Sequence, residues 1–212
     1  SSLEGFFASQ ENSHLVTLLK DRSFLDDLFI YGTKESGKTF LLQAMCNSYS
    51  SMSKSSLYIP LKKVMNYGVE IFESLENIDL ICVDGIEEAI SKIEWEKAIF
   101  NLINKALISE SRLILTSSKD LKSLNFLLPD LESRIRKIQS YELHPVNDKD
   151  IFDALKYISK LTSINLGDKE AKYLVTYSQR NISNLVHILE SLDQLSMEMK
   201  RKITIPLIKE VI

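Results

Sequence analysis

The chain has 212 residues, which suits one large domain or a domain with a smaller appendage. Its 29 acidic and 26 basic residues give a net charge of −3, whereas proteins that grip a nucleic-acid backbone usually carry a basic surplus. We therefore expect no strong direct DNA binding. No apolar run reaches the roughly 18 residues of a membrane span and no signal peptide opens the chain, so we expect no membrane partners. We interpret the two cysteines, Cys46 and Cys82, as buried thiols, which indicates a reducing cytoplasm.

Five short apolar runs alternate with helical patterns, which is typical of an α/β protein with a parallel sheet. The predicted strands cover residues 28–31, 56–60, 79–83, 113–117 and 140–143. Beyond residue 144 the strand signals stop, and apolar residues recur at helical spacing up to a last helix that Pro206 begins. We predict an α/β core over residues 1–144 and a small all-helical domain over residues 145–212.

A complete phosphate-binding loop follows the first strand. Residues 32–39 match the pattern G-x-x-x-x-G-K-T between a strand and a helix, which is the context that this motif requires. Its two glycines let backbone N–H groups surround a phosphate, and its lysine can reach the terminal phosphates. The hydroxyl of the last residue can bind Mg²⁺. We predict that ADP or ATP and Mg²⁺ bind here, with the loop residues Gly32, Thr33, Lys34, Glu35, Ser36, Gly37, Lys38 and Thr39 as contacts.

The third strand ends in an acid. Four apolar residues lead to Asp84, so a buried strand delivers a carboxylate to the edge of the sheet, where it helps Thr39 to hold Mg²⁺. Many ATPases of this layout place a second acid next to polarise the attacking water, but here that residue is Gly85. Glu87 and Glu88 follow, and we interpret them as solvated acids at a helix start. The sequence thus predicts weak or absent ATP hydrolysis by this chain alone.

Two arginines, Arg134 and Arg136, lie just before the last predicted strand. An exposed arginine there could project onto the nucleotide of a neighbouring subunit and act in trans on developing phosphate charge. The alternative is a surface ion pair with Asp130 or Glu132. The residues themselves leave both interpretations open.

With these motifs in place, the chain resembles the AAA+ proteins of the DnaA group, and most of all their Hda-like regulatory members. The likeness covers nearly the whole chain and is carried by residues 11–15, 81–87, 95–102, 128–134 and 202–211. The second of these segments also shares with Hda-like proteins the lack of an adjacent second acid. The resemblance implies an AAA+ core with a five-stranded parallel sheet, followed by a small helical lid.

The resemblance also implies where the nucleotide binds. It assigns Lys38, Thr39 and Asp84 to the nucleotide and Mg²⁺, the last two as metal ligands. It places Ser118 at the sensor-1 position of the core and Ser183 at the sensor-2 position of the lid. Relatives often have an acid at the first position and usually an arginine at the second, so the preference for ADP or ATP stays open.

The function implied by the resemblance is regulation of chromosomal replication initiation. Arg134 would be the catalytic arginine finger that enters a DnaA–ATP neighbour and stimulates hydrolysis there. Hda-like proteins favour ADP and work when docked to the DNA polymerase III sliding clamp, although no clamp-binding peptide is visible in this sequence. Face-to-back stacking, as in this family, would make a homodimer or higher oligomer.

Other functions fit parts of the sequence. A self-sufficient AAA+ ATPase, such as a helicase or clamp loader, would need measurable turnover by the isolated chain. A small-molecule P-loop kinase would need an acceptor site rich in Arg and Asp, which the core does not show. A DNA-binding initiator fragment is disfavoured by the negative net charge.

Overall fold

The computed structural model describes residues 2–75 and 77–212. The chain forms two compact units. The first unit consists of the residues up to Leu3 and the long stretch Gln10–His144. The second consists of Glu4–Ser9 and Pro145–Ile212.

A five-stranded parallel sheet forms the centre of the first unit. Its strands, numbered in chain order, are β1 Leu28–Tyr31, β2 Ser56–Pro60, β3 Leu80–Asp84, β4 Arg112–Ser117 and β5 Gln139–Glu142. Their order across the sheet is β2-β3-β4-β1-β5, and every neighbouring pair is parallel. The predicted five-stranded parallel core is confirmed, and each predicted strand agrees with the observed bounds to within one residue at either end.

The inner strands are apolar because both of their faces are covered. Every residue of β4 is buried, and so is every residue of β1 and β3 except the last of each. In contrast, β5 is largely exposed and carries Gln139, Ser140 and Glu142, as suits an edge strand that must not pair with another chain. The sheet is thus fixed in register by a buried centre, and its edge is polar.

Five helices accompany the sheet in the described part of the first unit. They are α1 Ser13–Lys20, α2 Lys38–Ser51, α3 Leu61–Val64, α4 Ile93–Ser109 and α5 Pro129–Arg136. Short 3₁₀ turns lie between them at Met65–Tyr67, Val69–Phe72, Ile86–Glu88 and Leu121–Ser123. Trp95 of α4 is buried and packs edge-on against Phe72 with 6.0 Å between the ring centroids, so it is a core residue.

The two ends of the long stretch in the first unit are joined by a buried asparagine. Asn12, only 1% exposed, donates through Nδ2 to the carbonyl oxygen of His144 at 2.8 Å. Its Oδ1 accepts from the backbone N–H of His144 at 2.9 Å. This reciprocal pair fixes the residue before α1 against the segment that follows β5, and it satisfies both polar atoms of a side chain that burial would otherwise make costly.

The second unit is helical. It contains α6 Ile151–Leu161, α7 Asp168–Tyr177, α8 Ile182–Met199 and α9 Ile205–Val211. Their apolar faces share one core, which includes Leu155, Leu174 and Leu189. The segment Glu4–Ser9 belongs to this unit, and the Tyr157 hydroxyl donates to the carbonyl oxygen of Glu4 at 2.7 Å. Within residues 2–75 and 77–212, no helix combines the length and apolar character that crossing a membrane requires.

The loop after β1 passes tightly against the end of β5, and this contact depends on a glycine. The backbone N–H of Gly32 donates to the carbonyl oxygen of Ser117 at 3.1 Å. A Cβ atom at Gly32 would overlap the carbonyl oxygen of Leu143, a backbone atom that cannot turn away. A Cβ atom at Gly167 would instead meet the carboxylate tip of Glu170, a flexible side chain that can swing aside.

We therefore expect Gly32→Ala to lower the free energy of unfolding by about 1–3 kcal/mol, because it forces backbone strands apart. Gly167→Ala is the control, and it should change that energy by about 0.5 kcal/mol or less. The denaturation midpoint of each variant, followed by circular dichroism, measures both effects. Equal midpoints for Gly32→Ala and the unchanged protein would contradict this account of the loop.

Candidate nucleotide-binding site

The site lies where the carboxyl ends of the central strands meet. β1 leads into the loop that begins at Gly32, β3 ends at Asp84, and β4 ends at Ser117. Because β1 and β3 both pair in parallel with β4, these three ends lie together along the carboxyl-terminal edge of the sheet. Ligands of open parallel sheets bind outside this edge.

The loop itself is closed by short contacts. The hydroxyl and the backbone N–H of Ser36 both donate to the carbonyl oxygen of Thr33, at 2.9 and 3.2 Å. Gly37 adopts a left-handed conformation (φ 95°), which glycine reaches without a Cβ penalty, and it caps the start of α2. Lys34 and Glu35 are exposed. The loop thus curls in front of a helix N-terminus, where backbone N–H groups favour an anion.

Lys38 folds back over this loop. Its Nζ donates to the carbonyl oxygens of Gly32 and Thr33, both at 2.6 Å, and the residue is 7% exposed. Burial lowers the pKa of Lys38, while the negative charges of Glu87 and Asp84 act in the opposite direction. Within the described residues, all hydrogen-bond acceptors of Nζ are neutral. An anionic phosphate would be a stronger partner for the ammonium group.

Asp84 accepts hydrogen bonds from hydroxyl groups on three different elements. Thr39 of α2 and Tyr58 of β2 donate to Oδ2 at 2.7 and 2.8 Å. Thr116 of β4 donates to Oδ1 at 2.6 Å and accepts from the backbone N–H of Gly85 at 3.1 Å. The carboxylate is therefore held in one orientation at the edge of the sheet.

Sequence reasoning missed Tyr58 and Thr116. Each is a hydroxyl residue near the carboxyl end of a strand that flanks β3, and Tyr58 lies opposite Cys82 in the register. Burial raises the pKa of Tyr58 well above its ordinary value, and the hydrogen bond to Asp84 adds to this. The phenol therefore stays protonated and remains a donor at neutral pH.

These groups fit magnesium and nucleotide phosphates. Magnesium prefers oxygen ligands, and the hydroxyl of Thr39 touches the carboxylate of Asp84. No cluster of three or more His, Cys, Asp or Glu able to hold a metal occurs in residues 2–75 and 77–212. An ion held here would complete its shell with water and phosphate oxygens, as Mg²⁺ commonly does in nucleotide sites.

One carboxylate oxygen of Glu87 is buried, whereas the sequence predicted a solvated acid. Gly85 is left-handed (φ 81°) and starts the short turn Ile86–Glu88. This turn brings Oε1 of Glu87 within 3.0 Å of the backbone N–H of Ser118, which donates to it. Its Oε2 is buried without a protein hydrogen-bond partner and lies 3.9 Å from where a Cβ atom of Gly85 would be. The interpretation of Glu87 as a solvated acid is therefore wrong, because the left-handed residue turns the chain back towards β4.

The arginines of α5 differ in their partners. Arg136 forms an ion pair with Glu132, one turn earlier, at 2.6 Å from Nη2 to Oε1. Arg134 is half-buried, and its guanidinium forms no ion pair or hydrogen bond within residues 2–75 and 77–212. Of the two interpretations left open by the sequence, the surface ion pair applies to Arg136.

Ser183, the nucleotide contact predicted for the lid, belongs to the second unit. Ser183 is exposed in the first turn of α8, and its backbone N–H donates to Oδ1 of Asn181 at 2.8 Å. This is a helix cap, which the serine shares with Asn184. Arg180, three residues before Ser183, forms an ion pair with Asp148, at 3.8 Å from Nη1 to Oδ2.

Comparison with known proteins agrees with this architecture. Residues 27–152 match the family described as "AAA domain", and residues 148–212 match the family described as "Hda, lid domain". Domain III of the replication initiation protein DnaA from Thermotoga maritima superimposes with a TM-score of 0.78 at 19% identity, over 100% of this chain and 96% of that chain. The chain belongs to the Hda-like, DnaA-related AAA+ family.

Two further relatives are similar over most of this AAA+ protein. An uncharacterized protein of Haemophilus influenzae is 34% identical over 215 residues, which are 100% of this chain and 93% of that protein. AMPPCP-bound DnaA from Aquifex aeolicus has a TM-score of 0.71 at 21% identity, over 92% of this chain and 64% of that chain. The AAA+ core and helical lid predicted from the sequence are confirmed.

We expect Asp84→Asn to remove the Mg²⁺-dependent part of nucleotide affinity, because the amide carries no charge and donates where the carboxylate accepts. The dissociation constant for ADP or ATP should rise roughly tenfold with Mg²⁺ and change little in EDTA. Asp79→Asn is the control, because Asp79 lies just before the opposite end of β3 and accepts hydrogen bonds from Ser55. Titration calorimetry measures both, and an unchanged Mg²⁺ dependence in Asp84→Asn would refute the metal role.

Proposed function

We propose that this AAA+ protein is a nucleotide-binding regulator that stimulates ATP hydrolysis on a DnaA-type initiator. Arg134 is the group that acts, in trans, at the terminal phosphate of the ATP bound by that partner. The observation that carries the proposal is the guanidinium of Arg134, which has no ionic partner among the described residues although Arg136 on the same helix is paired. An unpaired guanidinium suits a phosphate, because its planar fork can bind two oxygens at once.

The nucleotide site of this chain has a separate role in the proposal. The phosphate loop with Lys38, Thr39 and Asp84 holds ADP or ATP with Mg²⁺, supported by the oxygen donor set and by the nucleotide-analogue complex of a DnaA relative. Magnesium would neutralise phosphate charge there. Ser118 stands at the sensor-1 position beside Glu87. Ser183 remains a candidate lid contact, and as an uncharged residue it offers less to a phosphate than an arginine.

Partners follow from the same proposal. The DnaA link rests on the Hda-type lid and on the likeness to DnaA domain III. Docking to the DNA polymerase III sliding clamp rests on the family resemblance and not on a contact surface. Face-to-back stacking, in which Arg134 of one subunit reaches the nucleotide of the next, also provides for homodimers or higher oligomers.

Arg134→Ala should lower the stimulated rate of DnaA–ATP hydrolysis by about three powers of ten, since a finger of this kind contributes roughly 10³–10⁵ in other nucleoside triphosphatases. Arg136→Ala, on the same helix, is the matched control and should retain most of the stimulation. Phosphate release from preloaded DnaA–ATP, with clamp and DNA present, is the measurement. Full stimulation by Arg134→Ala would exclude the finger.

A self-sufficient ATPase is the second candidate, and the position of Glu87 favours it. Its buried Oε2 lacks a protein donor and lies beside the position of the missing second acid. A carboxylate there can accept the proton of the attacking water while the water oxygen bonds to the terminal phosphorus and ADP leaves. This would give the chain its own turnover in spite of Gly85.

If this second candidate is correct, the isolated chain hydrolyses ATP and Glu87→Gln slows it by roughly 10²-fold or more while ATP binding persists. Glu88→Gln is the control, because Glu88 lies in the same turn. Steady-state phosphate release and ATP titration measure the two effects. Absence of turnover in the unchanged protein, or equal turnover in Glu87→Gln, would eliminate this function.

A further inference from the structure

A second carboxylate, outside the nucleotide site, is fully buried in the first unit. Glu96 in the first turns of α4 is 0% exposed. Its Oε1 accepts from the backbone N–H groups of Ser91 at 2.7 Å and Leu127 at 3.1 Å. Its Oε2 accepts from those of Leu127 at 2.9 Å and Leu128 at 2.7 Å. In the described part of the chain, every hydrogen-bond donor to this carboxylate is thus a backbone N–H group.

The burial of this carboxylate has an energetic cost, and an apolar side chain in its place would have another. Burying a carboxylate away from water is unfavourable, and hydrogen bonds to the charged form offset that cost only when several are made at once. An apolar residue would fill the same space, but it would leave the three backbone donors unpaired. The carboxylate therefore holds two loop segments in fixed places against α4.

One of these segments begins the arginine helix. Leu128 is the residue before α5, and its carbonyl oxygen accepts from the N–H groups of Leu131 and Glu132 at 3.1 and 3.2 Å. Pro129, the first helical residue, has no N–H to contribute. Leu128 thus starts the helix with its carbonyl group and is held through its N–H by Glu96. Arg134 follows six residues later on the same short helix.

The other segment follows β3, the strand that ends at Asp84. Ser91 lies three residues beyond the turn that carries Glu87, and it adopts a left-handed conformation (φ 66°) that is strained for a residue other than glycine. Its N–H donates to Glu96, and its hydroxyl donates to the carbonyl oxygen of Asn125 at 2.9 Å. The chain leaving β3 is therefore tied to the segment before α5 through Glu96 and through Ser91 itself.

We propose that Glu96 is a positioning residue for Arg134, an inference that rests on the proposed function of that arginine. By binding the N–H groups of Leu127 and Leu128, it fixes the start of α5 and so the place from which the guanidinium projects. By binding Ser91, it links the start of α5 to the loop that follows β3. One side chain thereby joins the loop after Asp84 to the start of the arginine helix.

The test is Glu96→Gln in the full chain. Glutamine has one acceptor oxygen in place of two, so at least one of the three backbone donors loses its partner. The amide protons of Leu127 and Leu128 should exchange with deuterium roughly tenfold to a hundredfold faster, as measured by NMR. Glu94→Gln, an exposed acid on the same helix, is the matched control and should leave their exchange unchanged. Exchange in Glu96→Gln at the unchanged rate would overturn the proposal.

A second readout separates positioning from a purely structural role. In stimulated DnaA–ATP hydrolysis, Glu96→Gln should lower the maximal rate about tenfold, while the concentration for half-maximal stimulation and the chain's own nucleotide affinity stay within about twofold. Faster exchange with an unchanged maximal rate would overturn the positioning role. Glu96→Asp, which keeps the charge but has a shorter reach, replaces Glu96→Gln if that variant does not fold, and the same outcomes apply.

Arg134→Ala, assayed in parallel, distinguishes failure of this inference from failure of the proposed function. If Arg134→Ala stimulates fully, the proposed function fails, and the exchange rates of Leu127 and Leu128 alone decide whether Glu96 holds the start of α5. If Arg134→Ala is inactive and Glu96→Gln is fully active, the function stands and the positioning role fails.

Discussion

The candidate site depends on one carboxylate that several elements hold in common. Asp84 receives hydroxyl groups from the helix after the phosphate loop and from the strands on either side of its own. A carboxylate that water reaches only in part is stable when such donors surround it. The phosphate loop, β2, β3 and β4 must therefore keep their relative positions for the charge to be tolerated, and the same arrangement holds the hydroxyl of Thr39 at 2.7 Å from the carboxylate.

Much of this could be predicted from sequence because the determining signals are local. Each strand is an apolar run bounded by polar residues, and the buried centre of the sheet allows little else. The phosphate loop combines two glycines, a lysine and a threonine at fixed spacing, so its geometry is encoded in eight consecutive residues. The identity of the acid at the end of β3 follows from the same reasoning.

The remaining contacts could not be predicted because they depend on strand order and on turn direction. Tyr58 and Thr116 lie 26 and 32 residues from Asp84, and only the arrangement β2-β3-β4 makes them neighbours of that carboxylate. Glu87 and Glu96 appear in sequence as ordinary charged residues near helix starts. A left-handed turn at Gly85 and the approach of Leu127 to α4 make them buried acceptors, and no periodicity of apolar residues reports either.

The central place of β1 has a consequence for synthesis on the ribosome. Among the described residues, this strand pairs with β4 and β5, and Leu28 lies opposite Ile114, 86 positions later in the chain. Contacts of such separation form slowly, and at about 5–20 residues per second translation needs roughly 4–17 s to cover that distance. The first strand and the phosphate loop therefore emerge long before their partners exist. The nascent chain cannot complete its nucleotide site until β4 has been made, and over this interval an apolar β1 is exposed to chaperones and to aggregation.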